Sequence, residues 1–123
     1  MLKILTVDDS RVMRQMLKMT LSEAGYDVYQ AEDGVNGIEV LDEVGALDLI
    51  ITDINMPRMD GFGFMHRVRD IAQYKGTPIL VLSTESGDDK KSRARAAGAS
   101  GWIVKPFNSE KLLSAVRRVT GKG

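Results

Sequence analysis

Four stretches of this chain run apolar and then stop on a residue able to touch phosphate or a metal ion. Lys3-Ile4-Leu5-Thr6-Val7 stops at Asp8-Asp9, and Leu49-Ile50-Ile51-Thr52 stops at Asp53. Ile79-Leu80-Val81-Leu82 stops at Ser83-Thr84, and Trp102-Ile103-Val104 at Lys105-Pro106. Short apolar runs bounded by turn residues read as strands buried on both faces, as in a parallel sheet. Ligands of open parallel sheets bind beyond the carboxyl ends of the strands. Three carboxylates, a hydroxyl and an ammonium are therefore expected at one edge of a sheet.

Helix-like segments alternate with these runs. From Ser10 to Ala24, Val12, Met13, Met16, Leu17, Thr20 and Leu21 recur at helical spacing, and Gly25 supplies a stop. Asp27 to Ala31 alternates like a strand, and Gly34 to Val44 reads as a helix ending near Gly45. Asp48 to Thr52 is the most continuous apolar run and is expected at the centre. A loop from Asn55 to Gly61 leads into a helix from Phe62 to Ile71, and a fourth strand follows from Thr77 to Leu82. Asp88-Asp89 opens a helix to about Ala97, with two acids at its positive end. Gly101 to Val104 reads as a short fifth strand, and Asn108 or Ser109 caps a last helix from Glu110 to Val119. The alternation predicts an α/β fold: a doubly wound, five-stranded parallel sheet with five helices, flavodoxin-like, in order 2-1-3-4-5. That order sets Asp8-Asp9 beside Asp53, with Ser83 and Lys105 arriving from the other side.

A chain of 123 residues with no cysteine has no disulfide, no thiolate chemistry and no cysteine-bound zinc. No run approaches 18 apolar residues and the N-terminus lacks signal-peptide character, so a soluble cytoplasmic protein is expected. The net charge of zero conceals an asymmetry. Residues 1–89 hold 8 Lys and Arg against 16 Asp and Glu, whereas residues 90–123 hold 9 against 1. Chance on a solvated surface is one reading. The other is an acidic pocket near the first strands and a basic outer face near the last helices.

Each candidate residue has an ordinary reading beside its chemical one. Asp8-Asp9 can cap the first helix. With Asp53 alongside, however, like charges about 4 Å apart repel by about 4 kcal/mol at an effective dielectric near 20. A divalent cation on oxygen ligands would relieve that, and with one histidine and no cysteine Mg²⁺ suits better than zinc. Asp53 can start a turn, or act as a carboxylate nucleophile that accepts a phosphoryl group. Lys105 can be a surface lysine, or point inward to pair with Asp53 and then with phosphate. Ser83 can be an ordinary strand-end hydroxyl or a donor to a phosphoryl oxygen. His66 reads as a surface histidine. Gly34, Gly37, Gly61 and Gly63 form no phosphate loop and read as turn or helix-edge residues.

Asp8-Asp9, Asp53, Ser83 and Lys105-Pro106, with the Asp53-Ile54-Asn55-Met56-Pro57-Arg58-Met59-Asp60-Gly61 loop, resemble the receiver domain of two-component response regulators. Gly98-Ala99-Ser100-Gly101-Trp102-Ile103-Val104-Lys105-Pro106-Phe107 carries the same likeness, which extends over essentially the whole chain as one domain, 1–123. With no effector domain following, the expectation is a stand-alone chemotaxis regulator. The resemblance implies that Asp53 takes phosphate from a phosphohistidine on a CheA-type histidine kinase. It implies Mg²⁺ on the side chains of Asp9 and Asp53 and the Asn55 carbonyl, with Asp8 acting through water. Ser83, Lys105 and the Thr84 N–H would contact the phosphoryl group. Asn55 and Glu85 would tune its lifetime.

Trp102 stands where the family usually has the aromatic switch residue Tyr or Phe, and Ser83 where Thr is commoner. Phosphorylation would draw Ser83 inward and let Trp102 rotate; the plainer reading is a strand aromatic that never moves. The output face would comprise the fourth helix, fifth strand and last helix, with Lys90, Lys91, Arg93, Arg95, Lys111, Arg117 and Arg118. In relatives that face meets an acidic segment of the flagellar switch protein FliM. A phosphatase is a further implied partner, whereas nucleic acid, membrane and a second copy are not expected. The protein would thus be a signalling switch catalysing only its own phosphotransfer and autodephosphorylation. The alternatives are a phosphorelay intermediate or phosphate sink without motor binding, and a Mg²⁺-dependent phosphohydrolase of the haloacid dehalogenase type. The latter carries its nucleophile on the first strand in an Asp-Xaa-Asp arrangement, which Asp8-Asp9 and the distant Asp53 do not fit.

Overall fold

The computed structural model describes residues 1–121; Lys122, counted above in the basic total, and Gly123 lie outside the described residues. Five strands, β1 (Lys3–Val7), β2 (Asp27–Ala31), β3 (Leu49–Thr52), β4 (Ile79–Ser83) and β5 (Gly101–Val104), pair in parallel in the order 2-1-3-4-5. The helices between and after them are α1 (Arg11–Glu23), α2 (Gly34–Val44), α3 (Gly61–Asp70), α4 (Asp88–Ala96) and α5 (Ser109–Thr120). The fold class and strand order expected from the sequence are those observed, with element ends shifted by one or two residues.

Side chains alternate across the strands and divide the core in two. Leu5, Val7, Ile50, Ile79 and Val81 face α2, α3 and α4, where Leu41, Phe64, Met65, Val68 and Ala94 meet them. Ile4, Leu49, Ile51, Leu80 and Leu82 face α1 and α5, and pack on Leu17, Leu21, Leu112 and Val116. The central strands β1, β3 and β4 are buried almost throughout, which is why they read as unbroken apolar runs.

The helix caps resolve one alternative. Ser10, rather than either aspartate, caps α1, its hydroxyl accepting from the Met13 N–H at 3.2 Å. Asp33, Asp60 and Asn108 cap α2, α3 and α5 in the same way.

Helical spacing and burial part company in α1, and one glycine reading needs correction. The apolar spacing of α1 places Leu17 and Leu21 in the core but leaves Val12 and Met16 67% and 46% exposed. At 3.6 residues per turn those two lie on the flank of the buried face, together with Met19. Gly37, read as a turn or edge residue, is instead a packing residue within α2. A Cβ there would come within 2.6 Å of the Phe64 ring on α3. Among the described residues, no helix is long and apolar enough to cross a membrane.

Candidate functional site

Parallel register delivers the polar residues to one edge. Val7 pairs with Thr52, so the next residues, Asp8 and Asp53, leave the sheet side by side. The Asp53 N–H donates to the Val7 carbonyl at 2.9 Å, and the Asp8 N–H to Ala31 at 3.1 Å. On the far side Ser83 pairs with Val104, and the Lys105 N–H donates to the Ser83 carbonyl at 2.8 Å.

One ligand oxygen from each of Asp8, Asp9 and Asp53 lies within 4.8 Å of the others. Asp8 and Asp53 are buried, and Asp9 is exposed at the mouth. Lys105 reaches in between: its Nζ donates to Asp8 Oδ2 at 2.7 Å and to Asp53 Oδ2 at 2.9 Å. The remaining Asp8 oxygen accepts from the Ser10 N–H at 2.8 Å, and that of Asp53 from the Ile54 N–H at 2.7 Å. Burial pushes the Asp8 carboxyl above its ordinary value, with Lys105 and the Ser10 N–H pulling the other way. Burial also opposes the charge on Lys105, yet its bonds to Asp8 and Asp53 hold it above the ordinary lysine range.

Three carboxylates against one ammonium leave an excess of negative charge. The donor set is all oxygen, with neither imidazole nor thiolate, which fits a hard divalent cation such as Mg²⁺. Asn55 is exposed in the following loop, where its carbonyl could add a further oxygen. Gly61 closes this side of the site. Its N–H donates to the Ile54 carbonyl at 2.8 Å, and a Cβ would collide with the Asp53 carbonyl oxygen and lie 2.8 Å from Ile54 Cα.

Ser83 is fully buried, and its Oγ accepts from the Glu85 N–H at 3.2 Å. Glu85 links three directions. Its carbonyl accepts from the half-buried Trp102 indole N–H at 2.8 Å, and its carboxylate pairs with Lys90 on α4. Thr84 is exposed between Ser83 and Glu85, and His66 is exposed on α3. Lys90, Arg93, Arg95, Lys111, Arg117 and Arg118 are exposed on α4 and α5, with Lys91 half-buried. A groove of about 910 Å³ runs along β5 and α5, lined by Trp102, Val104, Lys111, Arg117 and Arg118 among others.

Two contacts near the site had no forewarning in the sequence. Arg14 reaches back from α1 to the Asp8 carbonyl. Arg58, in the loop after β3, grips Asp33 at the start of α2. The positive φ of Arg58 suits a turn, but nothing in the residue order signals its partner.

The family model for the response regulator receiver domain matches residues 4–117. The chain is 41% identical over 121 residues to the chemotaxis protein CheY1 of Helicobacter pylori, covering 98% of both chains. It is 50% identical to the Vibrio cholerae chemotaxis protein CheY4, whose structure superposes with a TM-score of 0.93 over 97% of this chain and 98% of that one. A third similar structure is the receiver domain of the Pseudomonas aeruginosa sensor histidine kinase PA1611, solved with a magnesium ion coordinated in its active-site cleft. It is 25% identical, with a TM-score of 0.89 over 98% of each chain.

Proposed function

The chain belongs to the response regulator receiver domain family and is a CheY-like chemotaxis member of it, and on that premise we propose a switch driven by phosphorylation of Asp53. Its character is that of a signalling protein rather than a metabolic enzyme. The observation that carries the reading is the shared lysine. Lys105 bonds to both Asp8 and Asp53 inside a three-carboxylate pocket, where a transferred phosphoryl group would find a cation waiting.

The donor is a phosphohistidine of a CheA-type kinase. An Asp53 carboxylate oxygen forms the new P–O bond as the P–N bond breaks, and the departing imidazole keeps the electron pair. Lys105 and the Ser83 hydroxyl take phosphoryl oxygens, with the Thr84 N–H as a further donor. Asp9, Asp53 and the Asn55 carbonyl, with Asp8 through water, would hold Mg²⁺, which would supply charge neutralisation for the transferring group. The magnesium ion coordinated in the active-site cleft of the PA1611 receiver supports a magnesium site in this pocket.

Hydrolysis by water ends the signal, with Asn55 and Glu85 setting its rate. The Lys90 ion pair draws the Glu85 carboxylate toward α4. Output passes through Ser83 and the loop after β4 to Trp102, whose indole N–H is tied to that loop. The basic surface of α4 and α5, with the groove along β5, receives an acidic segment of the flagellar switch protein FliM.

The test is binding of a FliM N-terminal peptide to the protein with and without Mg²⁺ and beryllofluoride. Tighter binding by the activated form is expected. Phosphotransfer without any activation-dependent peptide binding would favour a phosphate-sink role instead.

A further inference from the structure

The loop after β3 is held from a second side by a device that the phosphotransfer chemistry does not use. Arg58 donates from Nε to Asp33 Oδ2 at 2.7 Å and from Nη2 to Asp33 Oδ1 at 3.0 Å, a two-pronged pair. The Asp33 side chain is 4% exposed, so the pair is sealed at the carboxylate end. Asp33 also caps α2, accepting from the Asn36 N–H at 2.8 Å. A backbone bond runs parallel to the pair, from the Gly34 N–H to the Met59 carbonyl at 3.1 Å. Gly34 permits this approach, because a Cβ there would lie 2.6 Å from that carbonyl oxygen. Arg58 adopts φ 64°, a left-handed conformation unfavourable for a residue with a Cβ. The backbone is thus held in a disfavoured shape where the side chain is pinned.

The sheet order gives this pair its meaning. Strand β1 lies between β2 and β3, so a tie from the β3–α3 loop to the β2–α2 corner spans the end of the strand that carries Asp8 and Asp9. The loop so tied contains Asn55, three residues before Arg58.

We propose that the Arg58–Asp33 pair positions the β3–α3 loop for divalent-cation binding, fixing the Asn55 carbonyl relative to Asp9 and Asp53. Neither residue is a ligand; both act through the backbone between Asn55 and Asp60. The proposal rests on the cation site assigned above. Loss of outer partners that orient metal ligands typically weakens affinity by about 10- to 100-fold, and this indirect tie belongs at the lower end.

The experiment is a Mg²⁺ titration of the whole chain, followed by backbone amide chemical shifts, for the parent, Asp33→Asn, Arg58→Ala, Arg58→Gly and Asp9→Asn. Asp33→Asn retains an oxygen to cap α2 while losing the ion pair. Arg58→Gly relieves the backbone conformation while losing the clamp. Asp33→Asn, Arg58→Ala and Arg58→Gly are each expected to bind Mg²⁺ about tenfold more weakly, whereas Asp9→Asn is expected to lose binding. Phosphorylation by a small acyl phosphate at saturating Mg²⁺ should stay within twofold of the parent. Unchanged affinity in both Asp33→Asn and Arg58→Gly, with Asp9→Asn losing binding, would overturn the positioning role and leave the cation site standing. Undiminished binding by Asp9→Asn would overturn the cation site and this inference with it. Weakened affinity accompanied by an equal loss of phosphorylation at saturating Mg²⁺, or by shifts throughout the core strands, would overturn the inference in favour of a general structural role.

Discussion

Lys105 and Asp8 form a 2.7 Å ion pair across 97 residues of sequence, with only 9% and 2% of their side chains exposed. The same ammonium holds Asp53 at 2.9 Å. One cation therefore joins the carboxyl ends of β1 and β3 and balances part of an otherwise acidic pocket.

Replacing Lys105 with Met should destabilise the fold. Breaking a buried pair by removing one partner costs about 3–5 kcal/mol, and the lower end is expected because Asp8 can take up a proton instead. Mg²⁺ would supply the missing positive charge, so it should raise the stability of Lys105→Met more than that of the parent. Urea unfolding of both proteins, with and without Mg²⁺, measures this. Equal stabilisation of the two by Mg²⁺ would contradict it.

The Asp33–Arg58 pair predicts a particular pH dependence. The Arg58 guanidinium bonded to Asp33 holds its carboxyl below the ordinary value of 3.8. The unfolded chain then binds more protons than the folded one between the lowered value and 3.8, so stability rises with pH through that window. The contribution is present above the ordinary value and is lost as pH falls through the folded one. In Asp33→Asn it is absent throughout. The stability gap between parent and variant should therefore be widest near neutrality and close in acid, as read by urea unfolding across pH. A gap independent of pH would count against the ion pair.

Much of this architecture is legible in the residue order, for a physical reason. Strands buried on both faces must be continuously apolar, so their ends, and hence Asp8, Asp53, Ser83 and Lys105, stand out. The basic surface is visible because charge segregates along the chain as well as in space. Contacts made by single side chains across the fold leave no period and no composition signal. Arg58 and Asp33 are one example. Another is Arg69, which donates to the carbonyls of Tyr74, Thr77 and Gly98 and ties α3 to the turn before β5. Tyr74, fully buried in a short 3-10 turn, likewise donates to the Leu41 carbonyl at 2.9 Å, from a stretch that carries no helical period. The exposed flank of α1 misleads in the opposite sense, because Val12 and Met16 share the apolar spacing without sharing the buried face.

Gly61→Ala places a methyl group against the Asp53 carbonyl oxygen and 2.8 Å from Ile54 Cα. These are backbone atoms and cannot swing aside. Overpacking of this kind costs about 1–3 kcal/mol. The displaced strand end should also slow phosphorylation of Asp53 relative to the parent. Denaturant unfolding and the rate of label uptake check the two effects, and parental values for both would contradict the close approach.

Trp102 is the only tryptophan, and its indole N–H is bonded to the Glu85 carbonyl at 2.8 Å. If the loop after β4 moves when Ser83 engages phosphate, emission and quencher access should change on adding Mg²⁺ and beryllofluoride. Asp53→Asn should abolish that response. An unchanged spectrum in the activated parent would remove Trp102 from the switch.

The central claim is that Asp53 accepts the phosphoryl group. Its most direct measurement is transfer of radiolabelled phosphate from a phosphorylated CheA-type kinase to the parent and to Asp53→Asn, side by side in Mg²⁺. Labelling of the parent that falls away on adding a chelator is expected, and none of the Asp53→Asn protein. Undiminished labelling of Asp53→Asn would place the acceptor elsewhere and contradict the reading of the pocket.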